Sequence, residues 1–406
     1  MYSPVLNSAT QGLASHACFA SLPRLSYGSS DPSSGRRNLR RSKQRVTPCR
    51  NSASEKSDKG FGLLEWTGTL IPQSLLVKGA KGGWRLAWQT MMKELAPQTA
   101  DGAYARPSYQ FNSGQLTQQL REDSGRYHIY VGNACPWCHR VSLAVLLRGL
   151  APHVGVTQAI DDAERASRGG WVFNTPEPIY GATDLRGVYQ AAQPGFRGRC
   201  TAPLLLDIRD RKIVSNESSE IVRLLNGLHL PGCTPVDLVP RDLEAEMERL
   251  NALIHDQVNN GVYKSGFCTS QVAYERAQRE LYSTLDSLEQ RLAKHRFLLG
   301  DRFTEADLRL FPTMIRYDAV YTTLFKCCRH RLKDYPNLHA WTKDVYQISV
   351  GSEPHAQVRN SIDIDDARRS YFENLFPLNP GGIIPSASHE FAQAGDLLAN
   401  SITEGN

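Results

Sequence analysis

Residues 124–230 combine two hydrophobic periods, and their order predicts a small α/β domain. Alternating apolar positions predict strands, whereas apolar positions at helical spacing predict helices. The predicted strands are "RYHIYVG", "VGVTQAI" at 154–160, "APLLLDI" and "KIVSN", and the predicted helices are "PWCHRVSLAVLLRGL", a stretch around 183–190 and "ESSEIVRLLNGL". An irregular insert separates the second strand from the second helix. The order β-α-β-α-β-β-α is that of an α/β sandwich.

The chain from about 240 to 350 carries helical spacing only, which predicts an all-α second domain over 231–385 together with a C-terminal segment. Thr304, with Asp307 three positions later and an apolar run behind it, resembles a capping box at a helix start. Residues 51–123 predict a partly ordered extension that wraps the core, with a short helix near 84–95. Residues 386–406 predict a disordered tail.

The positive charge is confined to the start of the chain. The 406 residues include 47 Lys/Arg and 41 Asp/Glu, a formal net charge of +6. Residues 1–50 hold eight Lys/Arg, one acid and ten serines, which leaves 39 basic and 40 acidic residues elsewhere. A basic, serine-rich, acid-poor start is typical of an organelle transit peptide, with a disordered basic tail as the alternative. The serines favour a chloroplast or other plastid over a mitochondrion. No nucleic-acid partner is expected, and the apolar runs are too short to span a membrane.

Cys135 and Cys138 form the one Cys-x-x-Cys pair of the chain, in "GNACPWCHR". A zinc site needs four ligands, and no second Cys-x-x-Cys or His-x-x-x-His stands at a suitable spacing. Cys327, Cys328 and His330 are close in sequence, but the Lys and Arg around them repel a cation. No metal is therefore expected. The nine cysteines show no disulfide-framework spacing, which suits a compartment that keeps thiols reduced.

The position of Cys135 favours a nucleophile. It lies on the turn between a predicted strand and a predicted helix, where backbone N–H groups and the helix dipole stabilise an anion. The pKa of a thiol there is lowered, and the thiolate is the reactive form. Pro136 suits the first helical position, since its missing N–H costs nothing there. Cys138 lies one turn further on, where it either closes a disulfide with Cys135 or packs as a small apolar residue.

Two further stretches predict a binding site beside this thiol. Pro203, in "RCTAPLLL", either marks a sheet edge or follows a cis bond that exposes the backbone of Ala202 to a ligand. Glu217 and Ser218 begin a helix whose free N–H groups can hold a carboxylate, although ordinary capping by Asn216 or Ser218 explains them too. A thiolate, an exposed peptide strand and a carboxylate site together describe a site for a small thiol peptide.

These motifs resemble a known family, the glutathione transferases, and more narrowly the glutathionyl-hydroquinone reductases of the xi class. The matching stretches are "ACPWCHR", "GGWVF", "GRCTAPLLLD", "IVSNESSEIVRLLN", "NGVYKSGF", "TEADLRLFPTMIRYDAVY", "LFKC" and "NPGGIIP", in order over 124–385. The resemblance implies a thioredoxin-like α/β domain at 124–230 that binds glutathione, followed by an all-α domain, in a glutathione transferase fold. It also implies glutathione as cosubstrate, glutathionylated quinols as substrates and a homodimer.

The resemblance also assigns roles to single residues. Cys135 matches the nucleophile that forms a mixed disulfide with glutathione, and Tyr263 matches a proton donor to the departing aromatic carbon. Tyr321 and Tyr371 match tyrosines whose hydroxyls surround the thiol and lower its pKa. The residues that match glutathione contacts are Trp171, Arg199, Cys200, Thr201, Ala202, Glu217 and Ser218.

Two departures from the family leave alternatives open. Members commonly carry Ala or Ser where this chain has Cys138, and the extra thiol permits glutaredoxin-like or dehydroascorbate-reductase-like chemistry. The family's "HYY" is "SYF" here, so Phe372 cannot supply a hydroxyl if the second tyrosine is the functional one. The leading hypothesis is a glutathionyl-hydroquinone reductase. The alternatives are such a thiol transferase, or a scaffold that binds without turnover.

Overall fold

The computed structural model describes residues 72–107, 111, 122–162, 164–166, 170–350, 356–386 and 391. All of them belong to one compact unit, Trp66–Asn406. The predicted transit peptide at 1–50 and nearly all of the predicted tail at 386–406 lie outside the described residues.

A mixed five-stranded sheet forms the first part of the fold. Its strands are β1 Tyr127–Gly132, β2 Val154–Asp161, β3 Trp171–Val172, β4 Leu204–Asp207 and β5 Lys212–Ser215, in the spatial order β3-β2-β1-β4-β5. β1 and β2 run parallel, while β1–β4, β4–β5 and β2–β3 are antiparallel pairs. All six residues of β1 are buried because it is the central strand. β3 lies in the segment that the sequence leaves as an irregular insert, since two residues show no period.

Ten α-helices cover the sheet and build the second part. They are α1 Gln73–Leu95, α2 Pro136–Leu147, α3 Leu185–Ala192, α4 Ser218–Asn226, α5 Glu244–Leu253, α6 Asn260–Phe267, α7 Gln271–Leu292, α8 Glu305–Arg316, α9 Pro336–Tyr346 and α10 Ile364–Asn374, within the residues described. Two π-helical turns, Ile254–Asn259 and Tyr317–Tyr321, follow α5 and α8 directly. The predicted architecture, an α/β part followed by an all-α part, is confirmed.

The predicted extension contains a long helix and a segment that lies against the second part of the fold. α1 begins eleven residues earlier than the sequence predicts, because Gly79, Gly82 and Gly83 weaken the helical signal there. Residues 96–107, hereafter the strap, follow it. Strap residue Gln98 donates through Nε2 to the carbonyl oxygen of Phe267 at 2.7 Å. The strap therefore contacts the end of α6, while residues 51–71, 108–110 and 112–121 of the predicted extension lie outside the described residues.

The start of α8 is fixed by the predicted pairing of Thr304 with Asp307. The backbone N–H of Thr304 donates to Oδ2 of Asp307 at 3.0 Å. Oδ1 of the same carboxylate accepts from the N–H of Leu298 at 2.9 Å and from Nε1 of Trp341 at 3.0 Å. The side chain thus joins the helix start to a loop and to α9.

The neighbouring Glu305 links the two parts of the fold. Its carboxylate is 0% exposed. It accepts from Nε and Nη2 of Arg223 on α4, at 3.0 and 2.8 Å, and from Nε and Nη2 of Arg309 on α8, at 2.9 and 2.6 Å. Burial raises the pKa of Glu305, but the two guanidinium charges outweigh it and hold the pKa below its ordinary value. The carboxylate therefore stays charged.

We expect Glu305→Gln to lower the free energy of unfolding by about 3 kcal/mol, because the change leaves the buried guanidinium of Arg309 without its counter-charge and removes one of the two carboxylates that pair with Arg223. Urea denaturation followed by circular dichroism measures the loss. Asp242→Asn is the matched control, since Asp242 pairs with Arg302 on the surface, where the two side chains are 63% and 54% exposed. It should change stability by less than about 1 kcal/mol. Equal losses in the two variants would contradict the expectation.

Candidate active site

Cys135 caps the N-terminus of α2, as the sequence predicts. The tight turn after β1 brings it there, since its N–H donates to the carbonyl oxygen of Gly132 at 3.1 Å. Its Sγ accepts from the backbone N–H of Cys138 at 3.4 Å and lies 3.7 Å from the carbonyl oxygen of Ala202. The side chain is half-buried. The sulfur is thus both accessible and held at a helix N-terminus.

The pKa values of the two thiols in the Cys-x-x-Cys pair are shifted in opposite directions. Burial alone raises the pKa of Cys135, but hydrogen bonds from the thiol and N–H of Cys138 and from the N–H of Trp137, together with the charge of Arg316, lower it below the ordinary value. Cys138 is 1% exposed, and burial together with its hydrogen bond to Cys135 raises its pKa well above the ordinary value. Cys135 is therefore the thiol of the pair that ionises more readily, while Cys138 keeps its proton.

The peptide bond between Ala202 and Pro203 is cis, which is one of the two alternatives predicted for this proline. The carbonyl of Ala202 faces the sulfur of Cys135. Asn216 supports the preceding residue, because its Nδ2 donates to Oγ1 of Thr201 at 3.3 Å. Backbone next to the cis bond therefore lies beside the reactive thiol.

Tyr263, Tyr321 and Tyr371 meet through their hydroxyl groups. The hydroxyl of Tyr371 lies 2.5 Å from that of Tyr263 and 3.3 Å from that of Tyr321. Burial is the main cause that raises the pKa of all three, and a negative charge on Cys135 raises the pKa of Tyr263 and Tyr321 further. All three phenols are neutral at physiological pH. Tyr371 contributes the hydroxyl that joins this cluster, whereas the adjacent Phe372 is buried in the core.

The thiol opens on a small cavity of about 180 Å³ that is lined mainly by aromatic rings. The ring of Trp171 approaches the backbone so closely that a Cβ on Gly132 would stand 2.1 Å from its Cζ3 atom, which explains the glycine before the Cys-x-x-Cys turn. The residues that line the cavity are Ala134, Cys135, Pro136, Trp137, Asp161, Trp171, Tyr263, Phe267, Ser370, Tyr371 and Leu375. An apolar cavity of ~150 Å³ holds benzene, so this one suits a single aromatic ring.

A larger cavity of about 490 Å³ lies beside the small one and shares Trp137, Tyr263 and Phe267 with it. Arg106 of the strap and Arg199 bring positive charge to its lining. The other residues that line it are Leu95, Ala96, Tyr104, Pro107, Thr201, Ala202 and Asn216. This cavity has the volume and polarity for a peptide-sized anion.

The predicted carboxylate site at the start of α4 needs a correction. The capping residue is Glu217 itself rather than Asn216 or Ser218, and Oε2 of Glu217 accepts from the N–H groups of Ser219 and Glu220 at 2.9 and 3.1 Å. A carboxylate of the chain thus occupies N–H groups that the sequence leaves open for a ligand. Cys200, Glu217 and Ser218 are all buried, and none of the three is among the residues that line the two cavities.

Comparison with known proteins places this geometry in a family. A family model described as "Glutathione S-transferase, C-terminal domain" matches residues 271–344. The Xi glutathione-S-transferase of Phanerochaete chrysosporium is 34% identical, with a TM-score of 0.63 and coverage of 72% of this chain and 95% of that one. Glutathione-bound YqjG of Escherichia coli K-12 is 37% identical, with a TM-score of 0.61 and coverage of 73% and 92%. The glutathionyl-hydroquinone reductase PcpF of Sphingobium chlorophenolicum is 40% identical over 310 residues, which are 75% of this chain and 94% of PcpF. The chain belongs to the glutathionyl-hydroquinone reductases, the Xi class of glutathione transferases.

Membership of this class confirms the predicted glutathione transferase fold and makes the chain an enzyme of that superfamily. Within the described ranges, no three His, Cys, Asp or Glu side chains come together in a way that could hold a metal ion. The helices in those same ranges are all too short or too polar to cross a bilayer.

Three residues of this Xi-class site were missed by the sequence analysis. Arg106 stacks on Trp137, with its guanidinium carbon 3.7 Å from the ring centroid, and Arg316 contacts the turn before Cys135. Both arginines are distant in sequence from the thiol. Trp137, in contrast, lies between the two cysteines. A large aromatic side chain in "CPWC" could have identified it from the sequence as part of the site.

Proposed function

We propose that this protein reduces glutathionyl-hydroquinones to hydroquinones and uses glutathione as the reductant. The observation that carries the proposal is the thiol of Cys135, which has a lowered pKa and lies beside both an aromatic cavity and a larger, positively charged one. The names of PcpF and of glutathione-bound YqjG support the same substrate and cosubstrate. The small cavity accepts the hydroquinone ring and the larger one accepts the glutathionyl group.

In the first step, the thiolate of Cys135 attacks the sulfur that joins glutathione to the ring. A disulfide forms between Cys135 and glutathione, the carbon–sulfur bond to the ring breaks, and its electron pair stays on the ring carbon. Tyr263 donates a proton to that carbon, which releases the hydroquinone. Its hydroxyl contacts that of Tyr371, so the charge that remains is shared with a second phenol.

In the second step, the thiolate of a second glutathione attacks the glutathione sulfur of the mixed disulfide. Oxidised glutathione leaves and the thiolate of Cys135 is restored, while the proton of the incoming thiol replaces the one that Tyr263 gave. One glutathionyl-hydroquinone and one glutathione thus yield one hydroquinone and one oxidised glutathione. No other reductant is required.

The larger cavity provides the groups for glutathione. Arg199, Thr201 and Ala202 line it beside the cis bond, and Arg106 adds positive charge from the strap. The family resemblance assigns the amino group of the γ-glutamyl end to Glu217, whose carboxylate is buried and held by N–H groups of its own helix and does not belong to the lining of this cavity. Trp171 closes the side where the aromatic ring enters.

Mass spectrometry of the protein mixed with one equivalent of a glutathionyl-hydroquinone tests the proposal. We expect one glutathione on the peptide that holds Cys135, stoichiometric release of hydroquinone, and loss of the adduct when free glutathione is added. A protein that binds the conjugate without forming the adduct would refute the proposal and favour the non-catalytic scaffold.

The second candidate function is a thiol transferase that uses Cys138 to resolve the mixed disulfide. The thiol of Cys138 does hydrogen-bond to Cys135. Its burial and raised pKa oppose attack on a disulfide, because the thiol is the unreactive form.

We therefore expect Cys138→Ser to retain turnover of a glutathionyl-hydroquinone within about 10-fold of the wild-type rate, since the serine hydroxyl can still donate to Cys135. Parallel assays with a glutathionylated peptide and with dehydroascorbate measure the competing activity. Turnover of only those two substrates by the wild type, and its loss in Cys138→Ser, would favour the thiol transferase.

The homodimer and the plastid location also remain proposals. Family membership motivates the dimer, and the composition of residues 1–50 motivates the location. Neither depends on the chemistry at Cys135.

A further inference from the structure

Arg316, the last residue of α8, reaches across to the turn that precedes Cys135. The whole residue is 0% exposed. Its Nε donates to the carbonyl oxygen of Ala134 at 3.1 Å, and its Nη2 donates to that of Asn133 at 2.7 Å. Nη1 lies 3.0 Å from the carbonyl oxygen of Pro312 and 3.1 Å from Nδ1 of His139. One guanidinium thus joins α8 to both residues before the nucleophile.

Every one of these partners is electrically neutral. Burial and the charge of Arg316 hold the pKa of His139 well below its ordinary value, so the ring is uncharged. Its Nδ1 accepts from Arg316, and its Nε2 therefore carries the proton toward Oγ of Ser361 at 2.8 Å. In the ranges that the structure describes, no Asp or Glu oxygen pairs with Arg316, whereas Arg309 on the same helix pairs with Glu305 at 2.6 Å.

Arg316 thus brings a buried positive charge to the turn before Cys135, and an opposite charge close by favours the ionised form of a thiol. The thiolate of Cys135 is the charge that suits this position, because it follows directly on the two carbonyl groups that Arg316 holds. We propose that Arg316 is a positioning residue for the nucleophile, which fixes the turn before Cys135 and supplies the positive charge that the thiolate needs. The inference rests on the proposed function, since it takes Cys135 as the nucleophile.

The charges around the sulfur support this role. The positive charge of Arg316 lowers the pKa of Cys135, next to the hydrogen bonds from Cys138 and from the N–H of Trp137. The other groups that face the sulfur or line its cavity are the neutral phenols and one carboxylate, namely Tyr263, Tyr321, Tyr371 and Asp161. Removal of the Arg316 charge should therefore destabilise the thiolate of Cys135 more than removal of any other of these groups.

The pH dependence of alkylation by iodoacetamide tests the proposal without any substrate. Peptide mass spectrometry follows the modification, and fragment ions on either side of Pro136 separate Cys135 from Cys138. We expect the midpoint for Cys135 to rise by at least about one pH unit in Arg316→Met, because an opposite charge at close range is lost. In Arg316→Lys the midpoint should rise less, since the charge remains, while kcat/KM falls because the ammonium cannot hold all four acceptors.

Arg148→Met is the matched control. Arg148 is also buried and is also held by carbonyl oxygens, those of Leu228, Thr234 and Val236. It lies at the far end of α2, about 20 Å from Cys135 at 1.5 Å per residue. We expect a lower melting temperature for this variant but an unchanged midpoint for Cys135.

An unchanged midpoint in Arg316→Met would overturn the proposal and leave Arg316 a structural residue. If that variant does not fold, Arg316→Lys decides, and a wild-type midpoint together with wild-type kcat/KM would overturn it. The proposed function fails separately, through the absence of a glutathione adduct on Cys135, whatever these midpoints are.

Discussion

Cys135→Ala should abolish the reduction of glutathionyl-hydroquinones, with kcat/KM at least about 10⁴-fold below the wild-type value. The proposed reaction passes through a bond to the sulfur of Cys135, and alanine offers no atom that can form it. Cys138 cannot replace it, because that thiol is buried and holds its proton. Steady-state assays with a glutathionyl-hydroquinone and glutathione measure the loss, with hydroquinone release followed chromatographically.

Cys328→Ala is the control for this result, since Cys328 is an exposed thiol outside both cavities. It should keep wild-type kcat/KM. A Cys135→Ala protein that still turns over the conjugate would refute the mixed-disulfide mechanism and with it the proposed role of the helix N-terminus.

Tyr263→Phe should lower kcat by at least about 10²-fold while KM changes little. The substitution removes the proton donor but keeps the ring, whose centroid lies 5.2 Å from that of Phe325 and 5.8 Å from that of Phe267. The two half-reactions separate this role from packing. Rapid-quench measurements should show slow adduct formation from a glutathionyl-hydroquinone, whereas glutathione should clear a preformed adduct at the wild-type rate, since that step forms no carbon–hydrogen bond.

Tyr282→Phe is the matched control, because Tyr282 also loses a buried hydroxyl contact, 3.4 Å from the hydroxyl of Tyr317. Tyr282 lies on α7 and does not line either cavity. Its kcat should equal that of the wild type. Slowing of both half-reactions in Tyr263→Phe would assign that tyrosine to structure or to thiol acidity instead of proton donation.

The long elements of the fold were predictable because each carries a period of its own. β1, β2 and α2 form where their alternating or helical spacing predicts them. Their burial does not follow from that spacing, because every residue of β1 is buried whereas Val156 and Ile160 of β2 are exposed. The π-helical turns were not predictable, since one additional residue per turn shifts the register without any change in composition. Ile254–Asn259 and Tyr317–Tyr321 both read as ordinary helix in the sequence, although Tyr321 of the hydroxyl cluster lies in one of them.

The residues of the site also differ in whether the neighbouring sequence could identify them. Cys135 and Pro136 are recognisable from neighbouring residues because a helix start is a local feature, whereas the X-Pro pair at Pro203 predicts a cis bond only as one of two alternatives. The tyrosines were identified only through family resemblance, since a lone tyrosine on a helix is ordinarily a packing residue. Arg316 contacts the turn before the thiol although it lies 181 positions beyond Cys135 in the sequence, and no local sequence pattern predicts such a contact.

The strap has a consequence for how the N-terminus of this enzyme can be handled. Thr269 on the loop after α6 donates its N–H to the carbonyl oxygen of Gly102 at 2.9 Å, and Arg106 donates to Oδ1 of Asn260 at 3.0 Å. Proteolytic maturation at the end of a leader over 1–50 would leave these contacts untouched, and so would an affinity tag fused upstream of Pro72. Cleavage beyond Arg106 would instead remove the strap residues that line the larger cavity, while Cys135 would stay in place. An enzyme cleaved beyond Arg106 would therefore react with small alkylating agents at the ordinary rate but would bind glutathione weakly.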